Sequence, residues 1–215
     1  MAHDHIVFIV DDDLRICESL VALLESFDMN ARAFGSAAEY MASPLPDVPA
    51  CLILDVELPD MNGLDLQSGL VQGRQEPGIG PHIVFVTGHG DIPSSVRAIK
   101  AGAVDFLTKP FKQEDLMRAV ESALAQNRDA RAKGAKLNDY RERLASLTRR
   151  EREVLPLVVS GLLNKQAAVE LEISENTLQL HRGSIMKKMR AESLADLVRI
   201  AGALGITPGH RRRAE

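Results

Sequence analysis

The chain has 215 residues, of which 45% are apolar and 26% charged, with two cysteines and a formal net charge of -4. That length holds one large domain or two ordinary ones, and the composition excludes a disordered, fibrous or disulfide-framed chain. The charge is unevenly spread, residues 1–125 holding 8 Lys and Arg against 19 Asp and Glu and residues 126–215 holding 18 against 11, so an acidic part precedes a basic part suited to a polyanion such as nucleic acid.

The first residues, Met-Ala-His-Asp-His, carry no basic stretch, and no run of 18 apolar residues occurs anywhere; the expectation is a cytoplasmic protein with no membrane partner. Ile6 to Val10 is a short β-branched run ending abruptly in Asp11-Asp12-Asp13, as a buried strand does at a polar sheet edge. Leu14 to Phe27 is amphipathic, with Leu20, Leu23, Leu24 and Phe27 on one side, and Ala31 to Phe34 reads as the next strand. Cys51 to Leu54 ends in Asp55, His82 to Val86 ends in Thr87, and Val104 to Leu107 leads into Thr108-Lys109-Pro110. Helical patterns at 63–70, 94–101 and 113–125 lie between and after these runs. Alternation of strand and helix predicts a five-stranded parallel sheet in an α/β domain over 1–125. Cys17 and Cys51 sit among apolar residues and read as reduced core thiols.

Residues 126–144 turn polar and basic and read as a mainly helical linker, loosened near Gly134. From 145 to 208 the pattern is wholly helical: Thr148 and Glu151 form a capping box, Gly161 is a stop, Asn164 to Leu171 is a short helix, and Ser174 opens another after the turn at Glu172-Ile173. In that last helix Leu178, Ile185 and Met189 form a buried stripe, leaving Asn176, Leu180, Gly183 and Lys187 on another face with Gln179 beside them. A short helix, a sharp turn and a second helix of this kind have the geometry that enters a major groove. Residues 209–215, with Arg211 to Arg213, read as a disordered basic tail with modest nonspecific attraction to DNA.

Ligands of a parallel α/β sheet bind beyond the carboxyl ends of its strands, where this sequence places Asp11, Asp12, Asp55, Thr87 and Lys109. Crowded carboxylates call for a hard divalent cation, and oxygen-only ligation suits Mg²⁺ better than zinc. Such a site accepts a phosphoryl group on a carboxylate, Asp55 being the natural nucleophile, while Lys109 and the metal neutralise the phosphoryl oxygens and Thr87 meets the bound group.

Phe-Ile-Val-Asp11-Asp12-Asp13, Leu54-Asp55-Val-Glu57-Leu-Pro59-Asp-Met-Asn-Gly63, Val-Thr87-Gly-His-Gly90-Asp and Phe106-Leu-Thr-Lys109-Pro110-Phe resemble the receiver domain of two-component response regulators over residues 5–125. The resemblance implies a flavodoxin-like fold, Asp55 as phosphoacceptor, and Asp11, Asp12 and the backbone carbonyl of Glu57 as further Mg²⁺ ligands. It also implies Thr87 and Phe106 as a switch pair, Lys109 as the phosphate-binding lysine, a cis Lys109–Pro110 peptide and a sensor histidine kinase as phosphoryl donor. Glu57 and Asp60 make the loop after Asp55 more acidic than is common in the family, with an expected effect on metal affinity or phosphoryl lifetime. A haloacid-dehalogenase-type phosphatase is the competing enzyme reading, but it needs Asp two residues after the nucleophile, where this chain has Glu57.

Leu147-Thr-Arg-Arg-Glu-Arg-Glu-Val-Leu155, Gly161-Leu-Leu-Asn-Lys-Gln-Ala-Ala, Ile-Ser-Glu-Asn-Thr177, Leu180-His181-Arg182 and Ser193-Leu-Ala-Asp-Leu-Val resemble the LuxR-type helix-turn-helix domain over 145–206, and the whole chain is most similar to the FixJ branch of that regulator family. The resemblance implies a four-helix domain that binds double-stranded promoter DNA, a homodimer formed on phosphorylation and RNA polymerase as a further partner. Asn164, Lys165, Thr177, His181, Arg182, Lys187 and Lys188 are candidates for phosphate contacts, and Asn176, Gln179, Leu180 and Gly183 for the base-facing side. Gln179 stands where the family often has Lys, Gly183 where nitrate-regulator relatives have Lys, and Leu163 where a hydroxyl cap is usual, which predicts altered specificity and a less well capped helix. Two rival readings remain: a receiver that serves as a phosphate sink beside constitutive DNA binding, and C-terminal helices that bind protein instead.

Overall fold

The computed structural model describes residues 5–72, 80–88 and 91–209. In chain order it forms β1 (Ile6–Val10), α1 (Leu14–Ser26), β2 (Ala31–Phe34), α2 (Ala37–Ala42), β3 (Ala50–Asp55), α3 (Gly63–Gln72), β4 (His82–Thr87), α4 (Ile92–Lys100), β5 (Asp105–Thr108) and α5 (Gln113–Ala145). The helices α6 (Arg149–Val159), α7 (Asn164–Glu170), α8 (Glu175–Lys188) and α9 (Leu194–Ala203) follow. The described residues belong to two compact units, divided between Gly134 and Ala135.

In the first unit the five strands pair in parallel in the order β2-β1-β3-β4-β5, the flavodoxin-like arrangement. Because both faces are covered by helices, the central strands β1, β3 and β4 carry near-continuous apolar runs instead of alternating, and all five residues of β1 are buried, whereas the edge strands β2 and β5 also hold Arg32 and Asp105. Phe8, Val10, Leu52, Leu54 and Phe85 point to one side with Phe34, Tyr40 and Leu66, while Val7, Ile9, Cys51, Ile53 and Val84 meet α1 and α5 residues such as Leu20, Leu116 and Val120 on the other. Cys17 and Cys51 are free thiols in this second layer. Phe27, expected on the inner side of α1, instead follows its last residue as the C-cap and is 47% exposed.

Two further features depart from the sequence reading. The helix α2 was not expected; six residues are too few to show a 3.6-residue period, although Ser36 caps it by accepting from Glu39 N. The second is that α5 runs unbroken through Gly134, since one glycine costs only about 1 kcal/mol against flanking Ala, Arg and Lys, which favour helix. Its ends are tied into different cores. Asn127 is fully buried, its Oδ1 accepting from Ala50 N at 2.9 Å and its Nδ2 donating to Gly80 O at 2.6 Å. Tyr140, Leu144 and Leu147 join the core of the second unit, and Arg143 donates to Met189 O at 3.1 Å, satisfying a carbonyl at the end of α8.

The second unit closes over Val154, Leu155, Val158, Leu178, Ile185, Met189 and Leu197. Glu151 lies on the same inward stripe of α6 and is only 4% exposed. Beyond its reciprocal cap with Thr148, it accepts from Ser184 Oγ at 2.5 Å and Lys188 Nζ at 2.7 Å, binding the start of α6 to α8. Burial opposes its ionisation, but the hydrogen bonds from Lys188, Ser184 and Thr148 outweigh it and hold the carboxyl down at about 2. Because the folded pKa lies below the ordinary value, the ionised group stabilises the fold above about pH 4.5 and the contribution disappears as pH falls towards 2, about 3 kcal/mol in all. Glu151→Gln therefore lowers the unfolding temperature of the second unit at pH 7 and flattens its dependence on pH between 2 and 4.5; calorimetric scans of both proteins across that range are the check.

Candidate acidic site and nucleic-acid interface

The site forms because β1, β3, β4 and β5 end together. Strand order reverses around β1 and β3, so Asp11 and Asp55, each at the polar tip of an apolar strand, come side by side. Asp11 and Asp55 are buried at 3% and 7% exposure, Asp12 faces solvent, and oxygens from the three carboxylates lie within 4.8 Å of one another. Lys109 Nζ bridges the two buried ones, 2.5 Å from Asp11 Oδ2 and 2.8 Å from Asp55 Oδ2. Backbone N–H groups hold the other oxygens, Asp13 N donating to Asp11 Oδ1 at 2.9 Å and Glu57 N to Asp55 Oδ1 at 3.1 Å. Lys109 is placed by its own N–H, which donates to Thr87 O at 2.7 Å, and the following Lys109–Pro110 peptide is cis.

Burial raises the Asp11 carboxyl above its ordinary range, and the hydrogen bond from Lys109 only partly offsets it. Burial alone would lower Lys109, but hydrogen bonds to Asp11 and Asp55 overcome it and push the ammonium up. Among the described residues the donor set is oxygen-only, with three carboxylates beside the Lys109 ammonium, and this fits a hard divalent cation.

Around this centre, Thr87 is fully buried, and the half-buried Phe106 ring lies 6.0 Å from that of Phe85. The chain after Asp55 turns sharply: Gly63 N donates to Val56 O at 2.8 Å, and a Cβ on Gly63 would stand 2.2 Å from Asp55 O, so only glycine fits. Glu57 remains exposed in that loop. Asp60 does not add its charge to the site, correcting the expectation: it turns away to cap α2, accepting from Ala37 N and Ala38 N at 3.3 and 2.9 Å, and the bond from Ala38 lowers its pKa. His89 and Gly90 of the motif after Thr87 lie outside the described residues.

In the second unit α7, a tight turn and α8 follow in the expected order. Asn176, Gln179, Leu180, Gly183 and Lys187 are exposed along one face of α8, opposite buried Leu178, Ile185 and Met189, and Lys165 is exposed on α7. The remaining candidates are turned elsewhere. Arg182 donates to Asn164 Oδ1 at 3.1 Å, tying α8 to the start of α7; Thr177 shares a 2.7 Å hydrogen bond with the capping Ser174; His181 is half-buried. Lys188, taken from sequence as a phosphate contact, is engaged by Glu151 because it lies towards α6 rather than on the open face. Leu163 supplies no side-chain cap to α7, and Gln166 Oε1 accepts its N–H at 3.0 Å instead. Residues 210–215, which hold Arg211 to Arg213, lie outside the described residues.

The sequence reading missed three side chains: Asn127, Arg143 and the tie from Glu151 to α8. The first two carry no local signature, since their partners are far along the chain. Glu151 did carry one, because a carboxylate at i, i+3, i+4 and i+7 with Val154, Leu155 and Val158 must bury a partner.

Residues 7–121 match the response regulator receiver domain, and residues 145–201 match the luxR family of bacterial regulatory proteins. Nodulation protein W of Bradyrhizobium diazoefficiens is 45% identical over 98% of this chain and 91% of its own length. The transcriptional regulatory protein FixJ of Rhizobium meliloti is 43% identical over 95% of this chain and 98% of its own. Among solved structures, the response regulator StyR shares 41% identity with a TM-score of 0.79, over 93% of this chain and 98% of that one. With a receiver fold ending in this acidic cluster, a LuxR-type helix-turn-helix and such relatives, the chain belongs to the two-component response regulators that regulate transcription, alongside FixJ.

Proposed function

We propose that this response regulator accepts a phosphoryl group on Asp55 from the phosphohistidine of a sensor kinase, and that the modified receiver pairs with a second copy to bring two helix-turn-helix domains onto adjacent DNA half-sites. The observation that carries this reading is the Lys109 bridge at the meeting of four strand ends, which keeps the Asp55 carboxylate beside a cation and two further carboxylates. Asp11, Asp12, Asp55 and the Glu57 carbonyl are the residues that would hold Mg²⁺. When bound, the cation neutralises charge on the transferring phosphoryl oxygens.

In the transfer a carboxylate oxygen of Asp55 attacks phosphorus, the N–P bond to the donor histidine breaks, and the imidazole leaves with its electron pair. Lys109 stabilises the phosphoryl oxygens, and the hydroxyl of Thr87 hydrogen-bonds to the group once it is attached. A groove of about 470 Å³ opens beside Lys109, lined by Ile16, Leu20, Leu23, Pro110 and Phe111, a shape that suits an apolar helix of the kinase carrying the phosphohistidine. Rotation of Thr87 towards the phosphoryl group and of Phe106 behind it reshapes α4 and β5, the energy coming from better contacts in one of two receiver states. On α4, Ile92, Val96 and Ile99 recur at i, i+4 and i+7 and are 79%, 44% and 47% exposed, an apolar stripe suited to covering by a second receiver. Bound promoter DNA faces Asn176, Gln179, Leu180 and Lys187, with Lys165 on the adjoining helix, and RNA polymerase is the downstream partner.

With Mg²⁺ and a beryllofluoride mimic of the phosphoryl group, the full-length protein is expected to dimerise and bind a selected DNA site about tenfold or more tightly, and Asp55→Ala to do neither; sedimentation velocity and fluorescence anisotropy read both quantities, and unchanged oligomeric state and affinity would sink the mechanism. Replacing Ile92 and Ile99 together by Ser is expected to weaken the mimic-induced dimer by about tenfold or more while shifting stability only slightly, both sites being exposed. Dimerisation undiminished in that double variant would move the interface off α4.

A further inference from the structure

Gly183 is the ninth residue of α8, deep in a helix where glycine is less stable than alanine because it surrenders more backbone freedom on folding. Among the described residues nothing repays that loss. Its φ is not positive, and a Cβ placed on it meets no atom within 4 Å. Asn176, Gln179 and Leu180 precede it and Lys187 follows it on the same exposed face, so at about 100° per residue Gly183 stands at the middle of that face, opposite buried Ile185. We infer that Gly183 is a specificity-determining clearance position: the bare backbone of α8 there meets the DNA directly, and the missing side chain sets how deeply the helix enters the major groove. Glycine is the residue that permits close approach of a backbone to a ligand. The flanking side chains reach base edges only if the helix seats at that depth, so a side chain at 183 changes which bases they read as well as how tightly they hold them.

This inference rests on the proposed assignment of the exposed face of α8 to DNA, and the test separates the two. The full-length protein with Mg²⁺ and beryllofluoride selects duplexes from a randomised 40-base-pair pool, and affinities for the enriched duplexes are then measured for Gly183→Ala, Gly183→Lys and Gly202→Ala. Gly202 lies in α9, also exposed with open space around it, and is the control for helix propensity alone. Both alanine variants are expected to unfold a few degrees higher than the parent. Gly183→Ala is expected to lose about tenfold in affinity for the enriched duplexes and to select a different consensus, Gly183→Lys to lose more specific binding despite its added charge, and Gly202→Ala to bind as the parent does. Equal or tighter binding by Gly183→Ala with an unchanged consensus overturns the inference, as does an equal loss in Gly202→Ala. If the parent enriches no duplex, the DNA assignment of this face fails, and the inference with it.

Discussion

The receiver half of this molecule is organised around one ammonium group. Two buried carboxylates sharing a site repel by several kcal/mol, roughly 4 kcal/mol for unit charges about 4 Å apart at an effective dielectric of about 20, and Lys109 answers that repulsion by touching both. The order of the strands follows the same requirement, since only the reversal around β1 and β3 brings Asp11 to Asp55, and only the end of β5 delivers a lysine across both. Gly63 belongs to this arrangement as well, because the loop leaving Asp55 must pass so close to its carbonyl that no Cβ fits.

The acidic surplus of the first unit is distributed by role. Asp13, Asp60 and Asp91 spend their carboxylates on backbone N–H groups at the starts of α1, α2 and α4, where the helix dipole and orphan donors favour negative charge. Asp11, Asp12 and Asp55 instead converge at the strand ends and define the site. Glu151 in the second unit shows the contrast: it too is a buried carboxylate with a lysine partner, but a serine hydroxyl and its own capping box fill its remaining acceptor capacity. A carboxylate so fully bonded is a structural joint. Asp55 has a backbone N–H and an ammonium that it shares with Asp11, so its acceptor capacity is less fully used than that of Glu151.

In the second unit α8 is divided between holding and meeting. One side is consumed by the core, and the flanks are tied by Arg182 to Asn164 and by Ser184 and Lys188 to Glu151, while Arg143 satisfies its last turn. The helix is thereby held without using any side chain of its exposed face. A presenting surface of this kind is precise because its support lies elsewhere.

The sequence by itself determined the elements whose causes are local: apolar runs that end in acid, caps at Thr148 and Ser174, and the helical stripe of Leu178, Ile185 and Met189. From these the helix-turn-helix was legible within one stretch of chain, and the parallel sheet with its strand-end site from the alternation of strands and helices along the first 125 residues. Tertiary structure alone decided which charged groups are spent. Asp60 and Lys188 carry the same formal charges as their neighbours Asp55 and Lys187, and nothing in their spacing separates a residue aimed at a helix end or a buried glutamate from one that is not. The continuity of α5 through Gly134, by contrast, is a local outcome, since one glycine is outweighed by the helix-favouring Ala, Arg and Lys around it. Hydrogen bonds and ion pairs act over a few ångströms in space, so their partners are set by the packed fold and not by distance along the sequence.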